Sequence, residues 1–174
     1  MIPAQKKVLS AMLSAMLISI VLVIVGFNLC TIFNIEPSDF SIKNKWLTLA
    51  FFLLVIPYLI SIGLLAKHRF FTPADIDGSG LTTGTSKAKI LQARLQNTLE
   101  QFVLATIVYC GWFAFMPLSS IMTIPLASAA FFIGRLLFFM NYEKGAGSRA
   151  FGFALTFYPT VVMIISSLVY SIFI

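Results

Sequence analysis

The chain is 174 residues long, 59% hydrophobic and only 10% charged, which leaves too little polar surface to coat a soluble globule and makes lipid part of its solvent. Its net charge of +6 comes from cations gathered beside long apolar runs. That arrangement reads as membrane topology and contact with anionic lipid headgroups, and it argues against a nucleic-acid partner.

The first apolar run extends from Val8 to Ile35 without a charge and is long enough to cross a hydrocarbon core of ~30 Å. Lys6 and Lys7 precede it as they would a secretory signal. The run nevertheless exceeds the ~7–15 apolar residues of a signal peptide, and Phe27-Asn28-Leu29 ahead of Cys30 does not resemble a lipoprotein cleavage box. It is expected to stay in place as a spanning helix. Trp46 to Ala66 supplies a second span.

Residues 67–93 are expected to connect two spans, and 67–89 within them is rich in Gly, Ser and Thr. Within it, Asp75-Ile-Asp77-Gly-Ser79-Gly80 matches the first half of a calcium-binding loop. Ser86, however, stands where the bidentate Glu would be needed, so a solvated connector is the better reading. His68 has no cluster of ligand-type residues beside it, and Cys30 and Cys110 lie in separate apolar runs. No metal site and no disulfide framework is expected.

Glu100 heads the next apolar run, which reaches Arg135 without another charge. The 34 residues between them are too many for one crossing of ~20, and Met116-Pro117-Leu118-Ser119-Ser120 is the natural turn between a third and a fourth helix. Ala150 to Ile174 forms the last span, with Ser148 expected as its N-cap. The alternation of a transmembrane barrel is absent. The chain therefore reads as an all-α integral membrane protein with five transmembrane helices. It divides into an extra N-terminal helix and loop (1–45) and a four-helix membrane domain (46–174).

Five crossings place Lys6, Lys7, Lys67, Arg69, Lys87, Lys89, Arg94, Arg135, Lys144 and Arg149 on or near one face, against Lys43 and Lys45 on the other. By the positive-inside rule the first face is cytoplasmic, as is the amino terminus, and the carboxyl terminus lies opposite. A bacterial inner membrane or its equivalent suits this arrangement.

A carboxylate entering hydrocarbon costs ~2.5–3.5 kcal/mol on insertion scales and usually faces a partner or a polar cavity. Glu100 and Arg135 stand 17 and 18 residues from Pro117, so both lie ~26 Å from the turn at ~1.5 Å per residue. Matched depth predicts an ion pair between them. Arg94, Asn97 and Glu100 recur every third residue on one side of the third helix, while Arg135 and Tyr142 share a face of the fourth. Arg149 enters the first turn of the fifth helix, where exposed N–H groups already favour an anion.

At these residues the chain resembles the MAPEG family, the membrane-associated proteins in eicosanoid and glutathione metabolism. The carriers are Asn97-x-x-Glu100 with basic and polar residues before it, Arg135 seven residues ahead of Tyr142, Arg149 soon after, and Pro73-Ala-Asp75 in the connector. They cover residues 46–174 in order. The resemblance implies a homotrimer of four-helix bundles with glutathione bound between neighbours as co-substrate, at a site opening to the cytoplasm. In its terms Arg94, Asn97, Glu100, Arg135 and Tyr142 would bind the tripeptide, and Arg149 would stabilise its thiolate for attack on a lipophilic electrophile.

Glutathione carries two carboxylates and an ammonium, so arginines with one carboxylate complement it. The chain departs from the family's pattern in four places: Ala93 where an Arg is common, Phe138 for a polar residue, and Ala150 and Phe153 where Ser and Tyr can stand. The last two remove hydroxyls that could hold a thiolate. A non-catalytic relative that binds a lipid or an anion is the alternative. A small transporter with helices broken at Pro57, Pro125 and Pro159 is a third possibility, though no inverted repeat is visible and the polar cluster sits at one edge rather than at the midplane.

Overall fold

The computed structural model describes residues 1–33, 40–78 and 80–173. The expected end of the first span at Ile35, residues 36–39 of the loop after it, Ser79 of the calcium-like stretch and the terminal Ile174 lie outside the described residues. Five helices follow one another: α1 (Pro3–Ile32), α2 (Phe40–Phe71), α3 (Ser86–Phe115), α4 (Thr123–Asn141) and α5 (Ala146–Ile172). Each is long and apolar enough to cross a membrane, and the chain is an all-α integral membrane protein.

The boundaries follow local chemistry. Pro3 opens α1 where its missing N–H costs nothing, and the Gln5 side chain accepts from the Ile2 N–H at 3.0 Å. The connector is shorter than expected: residues 67–71 continue α2 and residues 86–93 already belong to α3, leaving 72–85. Ser86-Lys-Ala-Lys-Ile-Leu-Gln-Ala-Arg-Leu-Gln is polar but made largely of good helix formers. Thr85 caps it, its hydroxyl oxygen accepting from the Ala88 N–H at 3.2 Å. α3 ends at Phe115, and a 3-10 turn at Leu118–Ser120 reverses the chain where Pro117 was expected to.

Asp75 anchors the connector. It is 1% exposed, and its carboxylate accepts from the Thr85 N–H at 2.8 Å and the Thr85 hydroxyl at 2.6 Å. His68 Nε2 lies 2.9 Å from the second oxygen. Both Asp75 carboxylate oxygens are thus engaged by the chain's own groups.

α4 is the central helix, packed mainly against α5 and α2, while α2 also carries α3 and α1 lies along α5. α3 and α4 are consecutive yet touch little. The α4–α5 crossing depends on two glycines. A Cβ on Gly152 would stand 2.5 Å from the Phe138 nitrogen and 2.7 Å from the Gly134 oxygen, and one on Gly134 would stand 2.7 Å from Thr156 Cγ2. Absent side chains let the two backbones meet, the usual device where helices pack in lipid. A similar approach holds α1, since a Cβ on Gly26 would stand 2.6 Å from Thr123 Cα. The α4–α5 contact sets Arg135 and Phe138 against Phe153 and Thr156, and so builds the floor of the site.

Candidate functional site

Alternate faces of α3 do different work. Thr98, Gln101, Ala105, Tyr109 and Trp112 form its buried stripe. At ~100° per residue, Glu100 lies ~160° around the helix from Thr98, and it is exposed. The expected Glu100–Arg135 ion pair is therefore not formed. Glu100 accepts from Gln96 Nε2, one turn earlier, at 3.0 Å. Depth along a helix says nothing of direction around it.

Arg135 is fully buried and held by neutral groups. Its Nη1 donates to Asn97 Oδ1 at 2.9 Å and to Thr98 Oγ1 at 3.4 Å, and its Nη2 donates to Thr156 Oγ1 at 3.2 Å. Both hydroxyls can accept because their own hydrogens go to backbone carbonyls, Thr98 to Arg94 and Thr156 to Phe153. The guanidinium carbon also lies 4.2 Å from the Phe138 ring centroid. Among the described residues no carboxylate lies within ion-pair distance of Arg135, and its Nε has no partner. Because Arg135 occupies Asn97 Oδ1, the Asn97 NH2 is the end left for a ligand.

From Arg135 a chain of rings leads outward. Phe138 meets Tyr142 edge-on with centroids 5.2 Å apart, and the Arg149 guanidinium carbon sits 4.4 Å from the Tyr142 centroid. Tyr142 stands just past the end of α4, in a 3-10 turn at Tyr142–Lys144. Gly145, at φ 96°, then redirects the chain and is itself the N-cap of α5. Ser148, expected as that cap, lies inside the first turn, and Arg149 follows it.

These residues border a cavity of about 560 Å³ at the connector end of the bundle. Asn97, Glu100 and Gln96 of α3 line one side, Tyr142 and Arg149 the next, and Phe138, Ala150 and Phe153 the floor. Ala93, Ala146 and, from α1, Val8 and Met12 complete the lining. Of the described lining residues only Tyr142 has a hydroxyl. The space thus has a carboxylate, a guanidinium and two amides at its mouth above an aromatic floor, and it can take an amphiphile or a zwitterion with an apolar appendage.

Arg94 stands apart. Its guanidinium carbon lies 4.6 Å from the Phe139 centroid, and it lines a different groove with Lys67, His68 and Lys87. Of the six residues expected to share a site, four border the cavity, Arg135 supports it from behind Asn97, and Arg94 turns away. Sequence reasoning missed Thr98 and Thr156 as the holders of Arg135; their positions, four after Arg94 and seven after Arg149, carried a helical-face signal. It also missed Val8 and Met12, for which the sequence carried none.

The profile of the MAPEG family matches residues 46–169. Comparison with curated proteins and with solved structures gave no match.

Proposed function

The chain belongs to the MAPEG family, and on that premise we propose that it is a glutathione-dependent transferase or peroxidase of the membrane, acting on a lipophilic electrophile. The observation that carries the proposal is the cavity shared by Asn97, Glu100, Tyr142 and Arg149. Glutathione suits its polar mouth: Glu100 complements the ammonium, while the Asn97 amide and Arg149 complement carboxylate and thiolate. Among the described residues Arg149 supplies the one guanidinium that lines this cavity, so the homotrimer implied by the family would let a neighbour bind the remaining carboxylate. The connector end would face the cytoplasm, where glutathione is abundant.

In this reading Arg149 holds a positive charge beside the thiol and lowers its pKa from the ~8.5 reference, so that the proton passes to water and the thiolate becomes the nucleophile. The sulfur lone pair then forms a C–S bond to the electrophilic carbon, and the displaced electrons leave with the departing group or are protonated after addition. With a hydroperoxide, two glutathiones would be oxidised to the disulfide as the peroxide is reduced to alcohol and water. Tyr142, stacked under Arg149, offers the one hydroxyl able to donate to the sulfur.

The floor of Phe138, Ala150 and Phe153 favours a second reading, a non-catalytic relative that binds a lipid or another anion in the same cavity. Titration of the purified protein with glutathione, followed by thiolate absorbance, separates the two. The enzyme reading expects saturable thiolate formation that falls at least about tenfold in Arg149→Ala, the loss of one charge-assisted contact. Binding without thiolate would favour the non-catalytic relative, and no binding at all would sink the glutathione assignment.

A further inference from the structure

α1 lies outside the family match, which begins at residue 46, yet Val8 and Met12 line the cavity that holds Arg149. The helix is not loosely attached. It lies along α5 and also contacts α4, with Ala15, Ser19, Val23, Gly26 and Cys30 as its buried stripe. Contact is close at both ends: Gly26 abuts Thr123, and a Cβ on Gly147 would stand 3.1 Å from Lys7 Cβ. The latter contact fixes the start of α1 two residues before Arg149. Met12, one turn on from Val8, is 36% exposed, so it borders the cavity without being part of the packed core.

We infer that α1 is the selectivity wall of this site, with Val8 and Met12 limiting the length and breadth of the apolar group on the second substrate. The inference rests on the glutathione reading and deepens it. Gln96, Asn97 and Glu100 make the α3 contribution to the cavity largely polar, whereas α1 contributes only aliphatic and thioether surface. A sulfur held beside Arg149 and Tyr142 has the Phe138, Ala150 and Phe153 floor beneath it. An apolar chain leaving that sulfur finds apolar contact on the floor and on α1, and polar groups on α3. The flexible Met12 side chain can conform to a chain of variable shape. The substrate class this wall suits is an electrophile that carries an apolar alkyl or alkenyl group.

S-alkyl glutathiones provide the test, since the tripeptide probes the polar mouth and the alkyl chain probes the wall. Binding of S-methyl-, S-hexyl- and S-decylglutathione is measured to the purified full chain, to Met12→Trp and to Met12→Ala, with Leu13→Trp as a control beside the cavity. In the parent protein S-hexylglutathione should bind on the order of tenfold tighter than the S-methyl compound, because several methylenes are buried. Met12→Trp should erase that gain while S-methyl affinity holds, Met12→Ala should extend the gain to the decyl chain, and Leu13→Trp should behave as the parent. If Met12→Trp keeps the full gain while binding S-methylglutathione normally, α1 is not the wall. If S-methylglutathione does not bind the parent chain, the glutathione reading fails and the inference falls with it.

Discussion

Arg135 carries its charge into the bundle with no carboxylate within ion-pair distance among the described residues, and burial of an ion costs several kcal/mol even after relaxation. Two threonines, an asparagine and an aromatic face offset part of that cost. The most economical account is positional: the guanidinium fixes which end of Asn97 faces the cavity. Arg135→Met, similar in length and apolar, should then leave the protein folded with an equal or higher thermal midpoint, since removing a buried charge is often neutral or stabilising. Glutathione affinity should fall about tenfold as Asn97 loses its fixed orientation. Unchanged affinity in a folded Arg135→Met protein would take Arg135 out of the binding argument. Charge-free runs and a turn in the sequence give distance along a helix. They do not give direction, because α3 and α4 are each held by other helices, and only that packing decides that Thr98 faces inward while Glu100 faces out.

The spans themselves were legible, since hydropathy registers the solvent around them. Their polar ends were not. The first turns of α3 look like connector until Thr85 is recognised as a cap, and Gly145 rather than Ser148 starts α5 because the chain there needs a positive φ. The 72–85 connector shows what such a segment needs to hold its shape. Hydrogen bonds from the Thr85 hydroxyl and N–H, with His68 alongside, keep the Asp75 carboxyl below its ordinary pKa. A depressed pKa means that the clasp stabilises the folded connector above the unfolded value of ~3.9, and that this contribution is lost as pH falls through the folded value. Hydrogen exchange across 72–85 should therefore be slow at neutral pH and faster in Asp75→Asn. The difference between the two proteins should close as pH falls below about 4. A difference that persisted unchanged into acid would show that the carboxylate charge is not what holds the loop.

Taken as one object, the molecule places the start of α1, the end of α2, the start of α3, the end of α4 and the start of α5 at a single end, and the candidate cavity with them. Cations follow the same division, with Lys43 and Lys45 the exceptions at the opposite end. The bias toward cytoplasmic Lys and Arg operates on such flanks during insertion, so the proposed function and the charge pattern make the same demand on orientation. In a background with Cys30→Ala and Cys110→Ala, the exposed positions Thr83, in the connector, and Phe173, after α5, each accept a single cysteine. A membrane-impermeant maleimide applied to intact cells should label Phe173→Cys, and should reach Thr83→Cys only once the membrane is opened. Labelling of Thr83→Cys from outside would turn the cavity away from the glutathione pool. It would leave the fold untouched but remove the co-substrate on which the catalytic reading depends.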